Sequence, residues 1–450
     1  MEPIISVSGL RGIVGQSLTP EIAGRYAAAF AAELPPGPLV LTRDGRTTGP
    51  MVASALQAAL CAVGRDVIDA GVAATPTTGV LVRQAQAAGG LQISASHNPP
   101  EYNGLKLFSA EGRVVPAGFG QRVVARYRQG SPGWVSHERL GAARAWPGDT
   151  TSRHLELVLA LVDVERIRRR KFRVLLDATH GAGSLLGARL LESLGCQATI
   201  LGGDPNGLFE HPPEPTAENL SGVTKSTLAA KADVGFCQDP DADRLALIDE
   251  TGGYVGEEYT LALCADHWLA RHPGPVVINC SSSRMTEDLA ARHKCPSYRS
   301  AVGEANVVDE MLRRGAVLGG EGNGGVIHPQ VGLVRDSFVA MALVLDALAA
   351  GRGALNAWVN SLPRYGIAKT KFTLPAERVA AALLALEKRF PDAQADRLDG
   401  LRLDWPGRWL LVRASNTEPI VRAIAEAETE AAALELCRAA GKVLTAAEIS

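Results

Sequence analysis

The sequence predicts an α/β protein made of three similar units and a smaller α+β unit. The prediction rests on two observations. A strand-like run, a polar or glycine-rich loop, a helix and a second strand follow one another three times along the 450 residues. Beyond about residue 366 this order changes. Alternating strand and helix patterns are typical of mixed, largely parallel sheets covered by helices.

The three repeated units can be placed along the chain. The predicted strands and the helices between them are 38–41, helix 50–63 and 66–69; 172–177, a helix after 181–184 that ends at Leu194, and 198–200; 274–279, helix 285–292 and 297–299. The last unit begins with a strand at 370–374 and a helix at 375–390. Breaks in the pattern near Trp146, Gly252 and 363–366 predict domains at 1–146, 147–253, 254–365 and 366–450.

The composition indicates a large soluble enzyme. Because single hydrophobic cores stop growing near ~250–300 residues, 450 residues with 46% hydrophobic content predict several cores. The formal net charge of −2 provides no basic field for nucleic acid or membrane. The seven cysteines form no C-x-x-C pair, and we expect free thiols in a reducing cytoplasm. We find neither a signal peptide nor a membrane span.

The serine loop, residues 93–106, reads ISASHNPPEYNGLK and carries a hydroxyl, an imidazole and an ammonium. Two prolines follow Asn98, and prolines remove backbone donors and bias the preceding residue away from helix. We therefore expect Ser96 at a fixed, exposed bend. The pattern favours a loop built around Ser96 as a nucleophile, with His97 and Lys106 nearby. An ordinary serine turn is the alternative for this loop alone.

The aspartate loop, residues 239–244, contains Asp239, Asp241 and Asp243. In an extended segment, side chains two residues apart point the same way, so we expect three carboxylates to converge on a cation. Oxygen ligands select a hard divalent ion such as Mg²⁺. An EF-hand would need glycine where Arg244 stands, and helices where strand-like runs flank the loop. A solvated acidic turn is the remaining alternative.

The glycine loop, residues 319–325, contains the spacing G-x-G-x-x-G. In dinucleotide-binding folds a helix begins at the last glycine, but the sequence VIHPQ that follows here cannot open a normal helix. We interpret the segment as a mobile loop that offers Glu321 and Asn323 to hydroxyl groups, because a carboxylate accepts two hydrogen bonds at once. A tight glycine turn without a ligand is the alternative.

The arginine loop, residues 413–422, places hydroxyl and amide side chains between two arginines. These residues are Arg413, Ser415, Asn416, Thr417 and Arg422. Guanidinium forks, hydroxyls and backbone N–H groups can together surround a phosphate dianion. A salt-bridged turn is the alternative when the loop is considered alone.

In this order, the four loops resemble those of the α-D-phosphohexomutase superfamily, which includes phosphoglucomutase/phosphomannomutase and phosphoglucosamine mutase. The serine, aspartate, glycine and arginine loops are similar to the family's phosphoserine, magnesium, sugar and phosphate loops, respectively. The resemblance covers essentially the whole chain and looks closest to an archaeal-like branch.

The resemblance implies an isomerase that interconverts hexose 6-phosphate and hexose 1-phosphate in a central cleft. It implies a phosphoserine at Ser96, one Mg²⁺ held by Ser96 and the three aspartates, and hexose 1,6-bisphosphate as intermediate and activator. It places Arg11, His97 and Lys106 at the catalytic centre, with Lys106 as a proton carrier whose pKa burial lowers. It assigns substrate binding to Arg244, Glu321, Asn323, Arg413, Ser415, Asn416, Thr417 and Arg422.

The same resemblance implies hexose phosphates as partners, no nucleic acid or membrane, and a monomer or homodimer. The fourth unit is expected to close over the cleft near Gly366. Two other classes stay open: a metal-dependent sugar-phosphate phosphatase and a non-catalytic sugar-phosphate binding protein.

The glycine loop departs from the family pattern GExSGH. Asn323 stands for the serine and Gly325 for the histidine. We expect the missing imidazole to leave space beside the sugar, so that more than one hexose phosphate is accepted. His328 and Arg299 are the candidates to replace lost contacts. The choice among glucose, mannose and glucosamine is left open.

Overall fold

The computed structural model describes residues 2–130, 133–414 and 420–446, which form four units with one sheet each. The first three units are α/β, with mixed sheets, and the fourth is an antiparallel sheet covered by helices. This is the predicted fold class, which is therefore confirmed.

The first unit has a seven-stranded sheet in the order β1-β2-β6-β5-β3-β4-β7. The strands β3, β4, β5 and β7 run parallel, and β1, β2 and β6 complete an antiparallel edge. The elements are β1 (Ile4–Ser6), β2 (Gly9–Ile13), α1 (Pro20–Glu33), β3 (Leu39–Arg43), α2 (Gly49–Ala62), β4 (Val67–Val72), α3 (Thr75–Gln84), β5 (Gly89–Ile93), β6 (Tyr102–Ser109), α4 (Ala117–Gln129), a 3₁₀ helix (His137–Arg139) and β7 (Ala143–Ala145). The serine loop connects β5 to β6 and includes the start of β6.

The second and third units have the same sheet plan. Three parallel strands end in an antiparallel hairpin at one edge, in the orders β11-β10-β8-β9 and β13-β12-β14-β15. The elements are α5 (Ser152–Leu159), α6 (Val164–Arg170), β8 (Arg173–Asp177), α7 (Gly183–Ser193), β9 (Gln197–Leu201), α8 (Ser221–Ala229), β10 (Val234–Gln238), β11 (Leu245–Asp249), α9 (Glu257–Leu269), β12 (Val276–Asn279), α10 (Met285–Arg292), β13 (Ser297–Ser300), α11 (Glu304–Arg314), β14 (Leu318–Glu321), β15 (Gly325–Ile327), α12 (Ser337–Ala349) and α13 (Leu355–Asn360). The aspartate loop joins β10 to β11, and the glycine loop spans the turn between β14 and β15.

One hydrophobic core is shared by the second and third units. Helix α12 is apolar on all sides and almost wholly buried within it. Asp336 caps the helix by accepting hydrogen bonds from the N–H groups of Phe338 (2.9 Å) and Val339 (3.2 Å). Because α12 contacts both β11 and β15, it fixes the aspartate loop relative to the glycine loop.

The fourth unit is an antiparallel sheet in the order β16-β20-β19-β18-β17. Its elements are β16 (Gly366–Thr373), α14 (Ala376–Arg389), β17 (Gln394–Asp396), β18 (Leu401–Trp405), β19 (Arg408–Ala414), β20 (Ile420–Ala427) and α15 (Glu430–Thr445). Trp409 and Leu411 pack against Cys280 of the third unit. Gly366 is the first residue of β16 and pairs with Ala427, and closure about it stays a prediction.

The seven cysteines are free thiols, as predicted. Within the described parts of the chain, no helix combines the length and apolar character that crossing a membrane requires.

Candidate active site

The serine loop is held by the guanidinium of Arg46. That group donates hydrogen bonds of 2.6–2.9 Å to four carbonyl oxygens of the loop, those of Ser96, Asn98, Pro99 and Tyr102. Ser96 has a φ of 51°, in the left-handed region that a non-glycine residue rarely adopts. Its exposure is 1%, so the predicted bend exists but the prediction that Ser96 is exposed is wrong. The aspartate loop of the second unit covers it.

The hydroxyl of Ser96 faces Asp239. Its Oγ donates to Asp239 Oδ2 at 2.7 Å and lies 3.2 Å from Nδ1 of His97. Burial and the charges of Asp243 and Asp241 raise the pKa of Asp239 well above its usual range. Burial, with the nearby Arg244 and Arg11, lowers the pKa of His97 to about 3, so its imidazole is neutral at neutral pH.

The aspartate loop brings its three carboxylates together as predicted, but through a turn and not through an extended segment. Ala242 has a φ of 55°, and one oxygen from each aspartate lies within 4.8 Å of the others. Asp241 Oδ1 and Asp243 Oδ1 are buried without a hydrogen-bond partner. Because buried carboxylate oxygens are normally paired, this arrangement fits a divalent cation. The flanking antiparallel strands exclude an EF-hand.

Lys106 occupies the other side of the aspartate loop. Its Nζ lies 2.6 Å from Asp241 Oδ2 and 2.8 Å from Asp243 Oδ2. Burial disfavours the ammonium, but the two carboxylates outweigh burial and the pKa of Lys106 is raised. The expectation that burial lowers this pKa is therefore wrong, because the sequence alone did not show which carboxylates face the lysine.

Arg11 and Arg244 lie at the same centre. Arg11 Nη1 donates to Asn98 Oδ1 at 3.1 Å, which places it beside the serine loop as expected. The backbone N–H of Arg244 donates to Asp239 Oδ1 at 3.1 Å, and its Nε lies 3.8 Å from Asp243 Oδ1.

The glycine loop is the turn of a hairpin, so no dinucleotide-type helix follows it. Glu321 is 4% exposed and held from several sides. Its Oε1 accepts from Asn279 Nδ2 (2.8 Å) and from the N–H of Gly303 (3.1 Å), and Oε2 accepts from Arg335 Nη1 (2.6 Å). Burial opposes its charge, but Arg335 prevails and lowers the pKa of Glu321. The carboxylate is thus fixed, contrary to the expected mobile loop.

The space expected beside Gly325 is occupied. A Cβ added at Gly325 would lie 2.3 Å from Cδ of Arg335 and 3.1 Å from Oδ1 of Asn323. The neighbouring amide, Asn323 Nδ2, lies 3.4 Å from Glu321 Oε2. The absent imidazole therefore leaves no opening at this position, and the expectation of open space there is wrong.

Neither suggested replacement stands in the site. His328 is buried with its ring edge-on to Trp268, at 4.4 Å between ring centroids. Arg299 forms ion pairs with Glu287 (2.8 Å) and Asp404 (3.2 Å), which link the third and fourth units. Arg335, which the sequence analysis missed, fills the gap.

The fourth unit presents a row of cations to the site. In the sheet register Arg422 of β20 stands opposite Lys371 of β16 on one side and Arg413 of β19 on the other. Directly opposed residues share a face of a sheet. Arg413 Nε lies 3.0 Å from Asp399 Oδ2. Ser415, Asn416 and Thr417 lie outside the described residues.

A cavity of about 480 Å³ brings these groups together. Residues from all four units line it, among them His97, Glu214, Glu321, Lys371, Arg413 and Arg422. Glu258, on helix α9, also lines it and was missed. Burial raises the pKa of Glu258 to about 8. No pattern in the sequence marks Lys371, Glu258 or Arg335, because each reaches the site only through tertiary packing.

Family models of the phosphoglucomutase/phosphomannomutase type match the chain in order. Alpha/beta/alpha domain I matches residues 4–132, domain II residues 152–253, domain III residues 257–365, and the C-terminal domain residues 374–440. The exact domain boundaries given above stay predictions.

Two relatives come from Thermococcus kodakarensis. Its "Phosphoglucomutase/phosphomannomutase" is 35% identical over 99% of this chain and 99% of its own length. Its "Probable phosphoglucosamine mutase" is 34% identical over 97% of both chains.

Solved structures give the same picture. A phosphoglucomutase/phosphomannomutase family protein from Burkholderia thailandensis has a TM-score of 0.85 and 26% identity, covering 99% of both chains. The N-acetylphosphoglucosamine mutase of Aspergillus fumigatus, solved with GlcNAc-6P and magnesium, has a TM-score of 0.54 and 18% identity over 90% of this chain and 82% of its own. The latter shows a shared fold alone.

Fold, site and relatives define a phosphohexomutase, an enzyme of the isomerase class, as the sequence predicts. The chain belongs to the phosphoglucomutase/phosphomannomutase family. The phosphatase and the non-catalytic binding protein are not favoured by these relatives.

Proposed function

We propose that this enzyme interconverts hexose 6-phosphates and hexose 1-phosphates by passing a phosphoryl group through Ser96. The observation that carries the proposal is the contact between Ser96 Oγ and Asp239, next to two buried aspartate oxygens without hydrogen-bond partners. Phosphorylated Ser96 would give its phosphoryl group to the sugar, and the resulting hexose 1,6-bisphosphate would turn and return its other phosphate to Ser96.

Asp239, Asp241, Asp243 and Ser96 would hold one Mg²⁺, whose charge stabilises the transferring phosphoryl oxygens. Lys106 is kept charged by Asp241 and Asp243. We therefore assign it to orienting the phosphoryl group, or to donating a proton, and not to accepting one. Arg11 and His97 would complete the surroundings of Ser96.

We assign the sugar to Glu321 and Asn323. The buried carboxylate and the adjacent amide together offer acceptors and donors to neighbouring hydroxyl groups. A cavity of about 480 Å³ leaves room around a hexose, so glucose, mannose and glucosamine phosphates all belong to the proposed substrate class. With one main carboxylate contact, efficiencies among them should differ by less than about 100-fold.

We assign the phosphate that is not reacting to Lys371, Arg413 and Arg422. Like charges directly opposed across a sheet are destabilising, and an anion bound over the row removes that repulsion. Arg244, and the arginine-loop residues Ser415, Asn416 and Thr417, remain proposed contacts. The seven free thiols support a cytoplasmic location, and we keep a monomer or homodimer as the proposed assembly.

A coupled assay of the purified protein on glucose, mannose and glucosamine 6-phosphates tests this function. We expect the corresponding 1-phosphates to appear when hexose 1,6-bisphosphate and Mg²⁺ are supplied. Release of inorganic phosphate without 1-phosphate would indicate the phosphatase instead.

A further inference from the structure

Arg335 connects the aspartate loop to the glycine loop. Its Nη2 lies 2.6 Å from Asp243 Oδ2, and its Nη1 lies 2.6 Å from Glu321 Oε2. The side chain is 8% exposed, so these contacts are shielded from water. A single guanidinium thus pairs with one carboxylate from each loop.

The chain leaves Arg335 little freedom to move. Its backbone N–H donates to Glu304 Oε1 at 2.7 Å, and the next residue, Asp336, caps helix α12. Its Cδ lies where a Cβ at Gly325 would be, 2.3 Å from that position. Glycine at 325 therefore allows the guanidinium to reach both carboxylates.

Asp243 can face an ion and Arg335 at once. Its Oδ2 is shared by Arg335 and Lys106, whereas its Oδ1 has no hydrogen-bond partner. Whatever binds Oδ1 changes how strongly Oδ2 holds the guanidinium. The share of the guanidinium left for Glu321 changes with it.

We propose that Arg335 is a positioning residue that couples ion binding at the aspartate loop to the state of Glu321. The inference rests on the proposed function, in which Asp243 holds Mg²⁺ and Glu321 contacts the sugar. Coupling between binding sites is reciprocal, so a change at Glu321 must alter Mg²⁺ affinity through Arg335.

Calorimetry with Mg²⁺ alone tests the coupling in the unsubstituted protein, Glu321→Gln, Arg335→Lys and the double variant. Lysine keeps the charge, but its single ammonium cannot bridge two carboxylates as the guanidinium fork does. We expect Glu321→Gln to weaken Mg²⁺ binding by at least about fivefold when Arg335 is present, and by less than about twofold in the Arg335→Lys background. Equal changes in both backgrounds would overturn the inference.

Gly325→Ala gives a second test that keeps every charge. The added methyl should displace Arg335, and the effect of Glu321→Gln on Mg²⁺ affinity should then fall below about twofold. Gly118→Ala is the matched control, because a Cβ there meets no atom within 4 Å. If Arg335→Lys fails to fold, this pair decides the matter, and undiminished coupling in Gly325→Ala overturns the inference.

Failure of the proposed function would look different. Wild-type protein that turns over hexose phosphates and binds Mg²⁺ but shows no coupling overturns only the role of Arg335. Wild-type protein that binds no Mg²⁺ overturns the ion site and this inference together.

Discussion

The Oγ atom of Ser96 lies 2.7 Å from Oδ2 of Asp239, although 143 residues separate the two in the sequence. Their loops belong to different units, which Thr75 ties together. The N–H of Thr75 donates to the backbone carbonyl of Asp241 at 2.9 Å, and its Oγ1 donates to Asp241 Oδ2 at 2.6 Å. The nucleophile and the carboxylates are therefore positioned by one set of contacts between the first and second units.

Asp241→Asn should weaken Mg²⁺ binding and mutase turnover together. The substitution removes one of three charges around the ion and also a partner of Lys106. We expect Mn²⁺ to support at least part of the native activity, since it shares oxygen ligation with Mg²⁺. Calorimetry and steady-state rates measure both effects, with the exposed Asp204→Asn as control. Unchanged Mg²⁺ affinity would rule out Asp241 as a ligand.

Lys371→Met should raise KM for the hexose phosphate by about 3- to 10-fold while kcat changes little. Lys371 is exposed, so its contact with a phosphate is screened and of modest strength. The difference from the unsubstituted enzyme should shrink as salt is added. Lys388→Met, an exposed lysine on α14, is the matched control. If both variants behave alike, the row of cations does not hold the phosphate.

The sequence predicted most of what is local. Strand-like runs around the aspartate loop predicted its hairpin, and VIHPQ after the glycine loop correctly excluded a dinucleotide-type helix. These features depend on neighbours within a few residues, where propensity and turn chemistry decide the structure.

The sequence analysis failed where distant residues meet. It placed Ser96 at an exposed bend, because nothing near Ser96 shows that the aspartate loop covers it. It expected a lowered pKa for Lys106, because Asp241 and Asp243 are more than a hundred residues away. It missed Arg335 because an arginine before a helix has no special pattern until tertiary packing places it over Gly325.

Glu258→Gln should make the free energy of unfolding less dependent on pH. Burial raises the pKa of Glu258 to about 8 from a model value of 4.5. The folded protein therefore binds this proton more tightly than the unfolded chain does, and the corresponding stability is lost as pH rises from about 4.5 through about 8. We expect the melting temperature of Glu258→Gln, relative to the unsubstituted protein, to rise between pH 6 and pH 9. A difference that stays constant across this range would contradict the assignment.

Intact-mass measurement of the purified protein and of Ser96→Ala tests the central claim most directly, with the exposed Ser54→Ala as control. We predict that the unsubstituted protein and Ser54→Ala gain the mass of one phosphoryl group after incubation with hexose 1,6-bisphosphate. Ser96→Ala should gain none and lose nearly all mutase turnover. A Ser96→Ala protein that still takes up one phosphoryl group, or that turns over hexose phosphates at the normal rate, would contradict the account.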